Sequence, residues 1–181
     1  MNKRDDILKA ALKLFVEQGE QSTSMKWIAE DAECGIGTMY NYFKSKEDLI
    51  NVLYLEIKTK LFAYILKAHD TSSSVKQQFV SAWLRSIDYS ISNPLQTRFL
   101  QVYSHSPKIC NEVTKEVGKL IYPLMEIYDK GIREGIIKDQ NTLQLVIFTN
   151  GAISSSVSYN PNITNQCKKD LVLMAWDAIK S

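Results

Sequence analysis

The residues of this chain best suited to bind a ligand lie in one short segment, Gly35–Phe43, which reads GIGTMYNYF. Its small residues would let the backbone approach another surface, and its tyrosines offer hydroxyl groups and apolar ring faces. The stretch from Cys34 to Lys46 contains two lysines and no acidic residue. Hydroxyl and ammonium groups bind phosphate oxygens, and an apolar ring face can contact a thymine methyl. This composition predicts a surface that lies against a nucleic acid.

Three helices are predicted to position this segment. RDDILKAALKLFVEQG carries apolar residues on one face of a first helix. Ser24 can cap a second, short helix, MKWIAEDAE, in which Trp27 and Ile28 are expected to face inward. GIGTMYNYF forms the third helix, where Met39 and Phe43, four residues apart, pack on the first two. This order predicts a helix-turn-helix, whose second helix enters the major groove of DNA.

The rest of the chain is also predicted to be helical, since no convincing two-residue alternation occurs. Pro94 and Pro107 each stand just inside an expected helix start. We therefore predict an all-α fold of about nine helices. A three-helix helix-turn-helix DNA-binding domain (1–46) precedes a larger antiparallel helical bundle (47–181) for effector binding and dimerisation, and a helix over 47–69 links the two.

Composition narrows the class of protein. The 181 residues are 45% apolar with a net charge of +2, and no apolar stretch is long enough to span a membrane. The N-terminus is charged and then amphipathic, and the three cysteines are far apart. We expect a cytoplasmic protein with no membrane partner, no metal site and no cofactor. No G-x-S-x-G elbow, GxGxxG fingerprint or phosphate-binding glycine loop occurs, so we expect no enzyme.

The first fifty residues resemble the DNA-binding domain of the TetR family of bacterial transcriptional regulators. The motifs that carry the resemblance are AA..LF...G in the first helix, IA in the second, and G.GT.Y.YF.SKE.L after them. The resemblance implies a homodimeric repressor. It also implies a two-fold symmetric, palindromic operator of double-stranded DNA, from which a small-molecule effector releases the protein.

The resemblance also implies residue roles. Thr38 and Tyr40 would face the groove, Tyr42 and Lys46 would hold phosphates, and Ser24 would touch the DNA backbone. The predicted DNA-binding residues are Ser24, Lys26, Gly35, Ile36, Gly37, Thr38, Tyr40, Asn41, Tyr42, Lys44 and Lys46.

Four positions depart from the family's pattern, and one of them is Cys34, which stands where the family usually has a small apolar residue. Glu33 replaces the usual turn glycine, and Gly35 replaces the common serine cap. Ile36 stands where the family usually has a polar or basic residue, which implies contact with a methyl group in place of a hydrogen bond. Residues 1–50 carry 7 basic and 9 acidic groups, so we expect the acidic side chains to lie away from the DNA.

Aromatic and sulfur-containing residues of the middle of the chain are predicted to bind the effector. A mostly apolar cavity is how helical bundles bind small molecules, so the effector is expected to be largely apolar or aromatic. Any one of these residues could equally be ordinary core. The predicted set is Phe79, Trp83, Ile87, Phe99, Tyr103, Tyr122, Met125 and Phe148.

The last two helices, predicted over 142–159 and 166–180, offer apolar and small residues for a symmetric four-helix interface. From the residues alone, these helices could equally close the core of the monomer, whereas the resemblance favours a dimer. The predicted interface residues are Leu143, Val146, Ile147, Gly151, Ser154, Ser155, Leu171 and Met174.

Two other functions stay open at this point. A helical protein-interaction module could keep the helix-turn-helix shape and use Ile36, Tyr40 and Tyr42 as a protein-binding patch. An enzyme built on a helical bundle is the third hypothesis, and no carboxylate or histidine of the sequence points to its site.

Overall fold

The computed structural model describes residues 2–67, 70–160 and 162–181 of the chain. These residues form nine α-helices and one isolated bridge, between Ile137 and Lys180, which confirms the predicted all-α class. The predicted end of the linking helix, at residues 68–69, lies outside the described residues. The helices are α1 (Lys3–Glu17), α2 (Met25–Asp31), α3 (Ile36–Tyr42), α4 (Lys46–Leu66), α5 (Val75–Ser92), α6 (Pro94–Tyr103), α7 (Asn111–Arg133), α8 (Thr142–Tyr159) and α9 (Asn165–Ile179).

Side-chain hydrogen bonds cap the starts of several helices, and the cap at Ser24 is the one predicted above. The Ser24 hydroxyl accepts a hydrogen bond from the Trp27 amide, 3.1 Å away, at the start of α2. The Ser45 hydroxyl accepts one from the Asp48 amide (3.0 Å) at the start of α4. Such bonds satisfy amides that have no partner inside the helix. Since these signals need only neighbouring residues, they can be recognised in the sequence.

One predicted helix start is wrong. Pro107 does not open a helix, because residues 104–110 form a turn and α7 begins only at Asn111. The Cys110 amide donates to the Asn51 side-chain oxygen (2.9 Å), far away in sequence. The conformation of this turn is thus fixed by a tertiary contact that sequence spacing does not reveal.

The described residues up to Thr59, together with Asn93–Val117, form the first compact unit. In it α1 packs against α2 and α6, and α2 packs against α3. Phe15 lies 6.4 Å from Phe99 and 6.5 Å from Tyr103, ring centroid to centroid, and these last two rings stack at 4.4 Å. The three buried rings join α1 to α6.

Asn51 ties the start of α4 to the turn before α7 in the first compact unit. Its side-chain nitrogen donates to the carbonyl oxygens of Glu47 (2.9 Å) and Lys108 (2.8 Å), and its oxygen accepts from the Cys110 amide. Both donor hydrogens and the acceptor of this buried side chain therefore have partners. A buried amide satisfied in this way fixes the turn against α4.

The second compact unit comprises Lys60–Ser92 and Gly118–Ser181, apart from residues 68–69 and 161. Its α5 packs against α8 and α9, and these two pack against each other. Phe79 is at the centre of an aromatic cluster, with ring centroids 6.3 Å from Trp83, 5.7 Å from Tyr128 and 5.2 Å from Trp176. The Trp83 indole donates to the Tyr128 hydroxyl (2.9 Å), and burial raises the pKa of Tyr128 above its ordinary value.

The end of α9 pairs with the segment after α7 in the second compact unit. The Lys138 amide donates to the Ile179 carbonyl (2.9 Å), and the Ser181 amide donates to the Ile136 carbonyl (3.0 Å). These bonds hold Ile137 in a fully buried position.

The functional boundary predicted at residue 46 stays a prediction, since packing divides the chain differently: α4 and α7 each contribute to both compact units. None of the helices within the described residues combines the length and apolar character needed to cross a bilayer.

Two glycines of α7 should respond in opposite ways to replacement by alanine. A Cβ atom at Gly131 would lie 2.7 Å from Ile137 Cγ1 and 3.0 Å from Val75 Cγ1, whereas one at Gly118 would meet no atom within 4 Å. We expect Gly131→Ala to lower the free energy of unfolding by about 1–3 kcal/mol because the packed core must shift. Gly118→Ala should raise it by about 0.5–1 kcal/mol because alanine favours helix. Urea unfolding of both variants measures these free energies. Equal changes in the two variants would contradict the prediction.

Candidate nucleic-acid interface

The second and third helices form the predicted helix-turn-helix. In α2, Ile28 and Ala29 are buried against the core of the first compact unit. After α2 the chain turns at Glu33, whose φ of 50° lies in the left-handed region. The Cys34 amide then donates to the Ala29 carbonyl (2.9 Å), which closes the turn before α3.

The turn residue Glu33 is strained. Side chains other than glycine enter the left-handed region at a cost of about 1–2 kcal/mol, and the sequence places a glutamate there. The Lys3 ammonium group lies 3.3 Å from the Ala32 carbonyl and 3.4 Å from the Glu33 carbonyl. A cation at the end of α2 interacts favourably with its carbonyl groups, which offsets part of this cost.

Two residues anchor α3. Met39 and Phe43 are fully buried in the core of the first compact unit, as the sequence predicts, and the Phe43 amide donates to the Met39 carbonyl (3.0 Å). A helix of seven residues is not stable alone, so this packing holds it in place. Its other side chains are therefore available at the surface.

Most of the predicted DNA-binding residues are exposed. Ile36, Tyr40 and Tyr42 are large side chains with 44%, 51% and 45% of their surfaces exposed. Lys46 is half-buried. The other exposed members of the predicted set are Ser24, Lys26, Gly35, Gly37, Thr38, Asn41 and Lys44.

The ammonium group of Lys46 is bound within the protein. It donates to the carbonyl oxygens of Glu20 (2.8 Å) and Thr23 (3.0 Å), in the connection between α1 and α2. Lys46 therefore holds this connection beside the start of α4. Its predicted contact with a phosphate stays a prediction. By contrast, the side chain of Lys44 is exposed.

Several acidic groups of the first compact unit are paired with basic side chains. The Asp31 carboxylate lies 2.8 Å from the Lys13 ammonium, and Glu20 pairs with Lys108. Burial, together with the smaller effect of Glu20, raises the pKa of the Tyr103 hydroxyl to about 12. Paired carboxylates repel a polyanion less than free ones do. Further pairs are Lys3–Asp6, Arg4–Glu56 and Lys26–Glu30.

Trp27 is a candidate that the sequence analysis missed. It was expected to face inward, and that prediction is wrong, because 49% of its surface is exposed. The seven-residue α2 buries Ile28 and Ala29, and adjacent helix positions point about 100° apart. Trp27 follows Ser24 and Lys26 at the exposed start of α2, where its indole N–H could donate to a phosphate.

The predicted effector residues belong to two different compact units. Phe79, Trp83 and Ile87 are buried in the second compact unit, whereas Phe99 and Tyr103 belong to the core of the first. Tyr122 and Phe148 are exposed, and Met125 is half-buried. The Tyr122 hydroxyl forms a hydrogen bond with Glu126, and this bond raises the pKa of Tyr122. Their roles in effector binding stay predictions.

A cavity of about 200 Å³ lies in the second compact unit, where the end of α4 meets the start of α5. Its lining is mostly polar and includes none of the predicted effector residues. The lining residues are Ile65, Asp70, Ser73, Gln77, Gln78, Ser81 and Ala82. Within the described parts of the chain, no group of three or more acidic, histidine or cysteine side chains could hold a metal ion.

The predicted dimer residues divide between surface and core. Leu143, Ile147 and Gly151 are exposed along α8 at intervals of four residues, and so share one face. Met174 of α9 is exposed as well, with 68% of its surface accessible. Val146 is buried inside the protomer. Ser155 is exposed, and Ser154 and Leu171 are half-buried.

Comparisons with known proteins agree with this site. Residues 7–53 match the family model described as bacterial regulatory proteins of the tetR family. The regulator QacR of Staphylococcus aureus is 26% identical over 136 residues, which cover 75% of this chain and 71% of QacR. The repressor KstR2 of Mycolicibacterium smegmatis is 26% identical over 87 residues. The chain spans less than half of that repressor, 42% of its length, while the match covers 48% of this chain.

Solved structures resemble the whole chain. A TetR family transcription regulator from Marinobacter aquaeolei VT8 superposes with a TM-score of 0.91, covering 99% of this chain and 96% of that one. The two sequences are 21% identical, so this likeness concerns the fold.

The two lysines that flank Ser45 should differ in their effect on stability. We expect Lys46→Met to lower the free energy of unfolding by about 1–3 kcal/mol, since two carbonyl oxygens lose a charged donor. Lys44→Met removes an exposed ammonium and should change it by less than about 0.5 kcal/mol. Urea unfolding followed by circular dichroism measures both. A Lys46→Met variant as stable as Lys44→Met would contradict the structural role of Lys46.

Proposed function

Because the chain belongs to the TetR family of bacterial regulatory proteins, we propose that it is a transcriptional repressor that binds a two-fold symmetric DNA operator as a homodimer. A small-molecule effector releases it. The observation that carries the proposal is the orientation of α3. Met39 within it and Phe43 just after it are buried, while its hydroxyl and apolar side chains are exposed.

The chemistry of this surface suits duplex DNA. The hydroxyls of Thr38, Tyr40 and Tyr42 can donate to phosphate oxygens, and Asn41 can pair with an adenine edge. Lys26 and Lys44 add positive charge at the rim. So few charged contacts give one protomer modest and salt-sensitive affinity. Two protomers on one operator multiply it, because the second contact becomes intramolecular.

The dimer is proposed to form through the exposed face of α8 and α9. Leu143, Ile147 and Met174 would each leave large apolar surfaces in water if the chain were monomeric. Gly151 and Ser155 are exposed on α8 and would let two such helices approach closely. A two-fold dimer has two copies of α3, which can read half-sites one helical turn apart.

Release by an effector follows from linkage. An effector that binds one conformation of the dimer more tightly shifts the population toward it, and DNA affinity falls by the same coupling. α4 contributes residues to both compact units, so a tilt of α4 could carry the change to α3. The predicted apolar or aromatic character of the effector stays a prediction, since the cavity beside α5 has a mostly polar lining.

The alternative of a protein-interaction module would use the same exposed side chains on α3. It has less support, because the matched relatives QacR and KstR2 are named as a transcriptional regulator and a transcriptional repressor. The two hypotheses differ in salt dependence, because only binding to a polyanion releases counterions in proportion to the phosphates contacted.

The first test is operator selection. We expect the purified protein, at physiological salt with excess competitor DNA, to enrich fragments of its source genome that share a two-fold symmetric site. Tyr40→Ala should lose this enrichment, because its hydroxyl and ring are both removed. Tyr40→Phe should keep part of it, and Val102→Ala, an exposed change on α6, should keep it all. No enrichment across a range of salt would overturn the proposal and favour the interaction module.

A second test concerns the dimer. We expect Ile147→Glu to convert a dimer into a monomer, because a carboxylate pair would be buried at the interface. Light scattering measures the molar mass, and circular dichroism checks that the variant is folded. Val102→Glu, which places the same charge on an exposed apolar position of α6, should stay dimeric. A folded Ile147→Glu variant with the mass of two chains would place the interface elsewhere.

A further inference from the structure

The exposed face of α3 joins two apolar groups. Ile36, the first residue of the helix, and Tyr40 are four residues apart, so their side chains lie one above the other. About half of each side-chain surface is accessible to solvent. The N-terminal residues of a recognition helix are the ones that contact base edges, and Ile36 occupies that position.

The surroundings of Ile36 leave its aliphatic side chain free to approach a base. A Cβ atom added at Gly37 would meet no atom within 4 Å, and one added at Gly35 would meet only the Thr38 hydroxyl oxygen, 3.9 Å away. The neighbouring surface is therefore open, and the exposed side chain of Lys44 adds a positive charge that suits a polyanion.

The residue types of α3 also exclude base recognition by charged side chains. Ile36–Tyr42 contains no arginine or lysine, the side chains that pair with the two acceptors of guanine, and no carboxylate to accept from cytosine. An isoleucine can form no hydrogen bond with a base. The one apolar group at a base edge in the major groove is the C5 methyl of thymine.

We infer that Ile36, together with the ring of Tyr40, reads the C5 methyl group of a thymine in each half of the operator. This inference rests on the proposed function, and it names the chemical feature that the site selects. The operator therefore has a thymine in each half-site at the position that faces the start of α3, and the protein discriminates against any base without a C5 methyl there.

The expected loss of DNA affinity follows from the apolar area of one methyl group. Burying one methyl or methylene group strengthens an interaction by about fourfold. Removing the thymine methyl should therefore weaken binding by about fourfold in one half-site, and by about fifteenfold in both halves of a symmetric operator. Methyl contacts elsewhere on the DNA would not depend on Ile36.

Deoxyuridine substitution tests this directly, since uracil lacks only the C5 methyl of thymine. Each thymine of the selected operator is replaced in turn, in both half-sites, and affinity is measured by fluorescence anisotropy at one salt concentration. We expect one symmetric position to show the loss with the natural protein. Ile36→Ala should bind more weakly overall and show less than twofold loss at that position.

Two further variants control the experiment. Ile36→Val keeps a branched aliphatic side chain and should keep most of the sensitivity to uracil. Leu95→Ala removes an aliphatic side chain of similar exposure from α6 and should behave as the natural protein does.

The outcomes separate this inference from the proposed function. If the natural protein binds its operator with unchanged affinity after every uracil substitution, the inference about Ile36 is overturned and the proposed function is not. An Ile36→Ala variant that keeps the full loss at the same position would overturn the same inference. A protein without any preferred DNA would overturn both the proposed function and this inference.

Discussion

The candidate interface depends on the burial of Met39 and Phe43. A helix of seven residues gains too few internal hydrogen bonds to offset its nucleation cost, so α3 exists because these two side chains are packed in a core. That core is built by α1, α2, α4 and α6. Since the anchoring is done by two residues on one face, the other positions of α3 can vary in chemistry. The exposed Ile36 and Tyr40 lie outside this core, so their side chains are available for the proposed contact with DNA.

The connections around α3 are held by side chains that bind backbone groups. Lys46 binds two carbonyl groups of the α1–α2 connection, and Asn51 binds the turn before α7. Each contact satisfies a backbone group that helices alone leave without a partner. They fix where α3 and α4 begin relative to α1 within the first compact unit. A recognition helix needs this precision, because base contacts depend on placement to within a fraction of an ångström.

Aromatic residues have different packing roles in the two compact units. Phe15, Phe99 and Tyr103 join α1 to α6 in the first unit, while Phe79, Trp83, Tyr128 and Trp176 fill the second. Edge-to-face and stacked contacts of this kind add to the stabilisation from burial alone. Because these rings contact one another, the aromatic content of the middle of the chain is largely accounted for by folding.

The sequence by itself determined the all-α class, the extent of α8, the cap at Ser24, and the anchoring of α3 by Met39 and Phe43. Those features depend on periodicity and on neighbours within a few residues. Tertiary structure decided that Phe99 and Tyr103 belong to the core of the first compact unit, that Lys46 is bound internally, and that Trp27 is exposed. The periodicity of the sequence indicates which side chains are buried. The residues that they pack against lie on helices tens of residues away. Which rows of side chains meet is settled only when the helices pack.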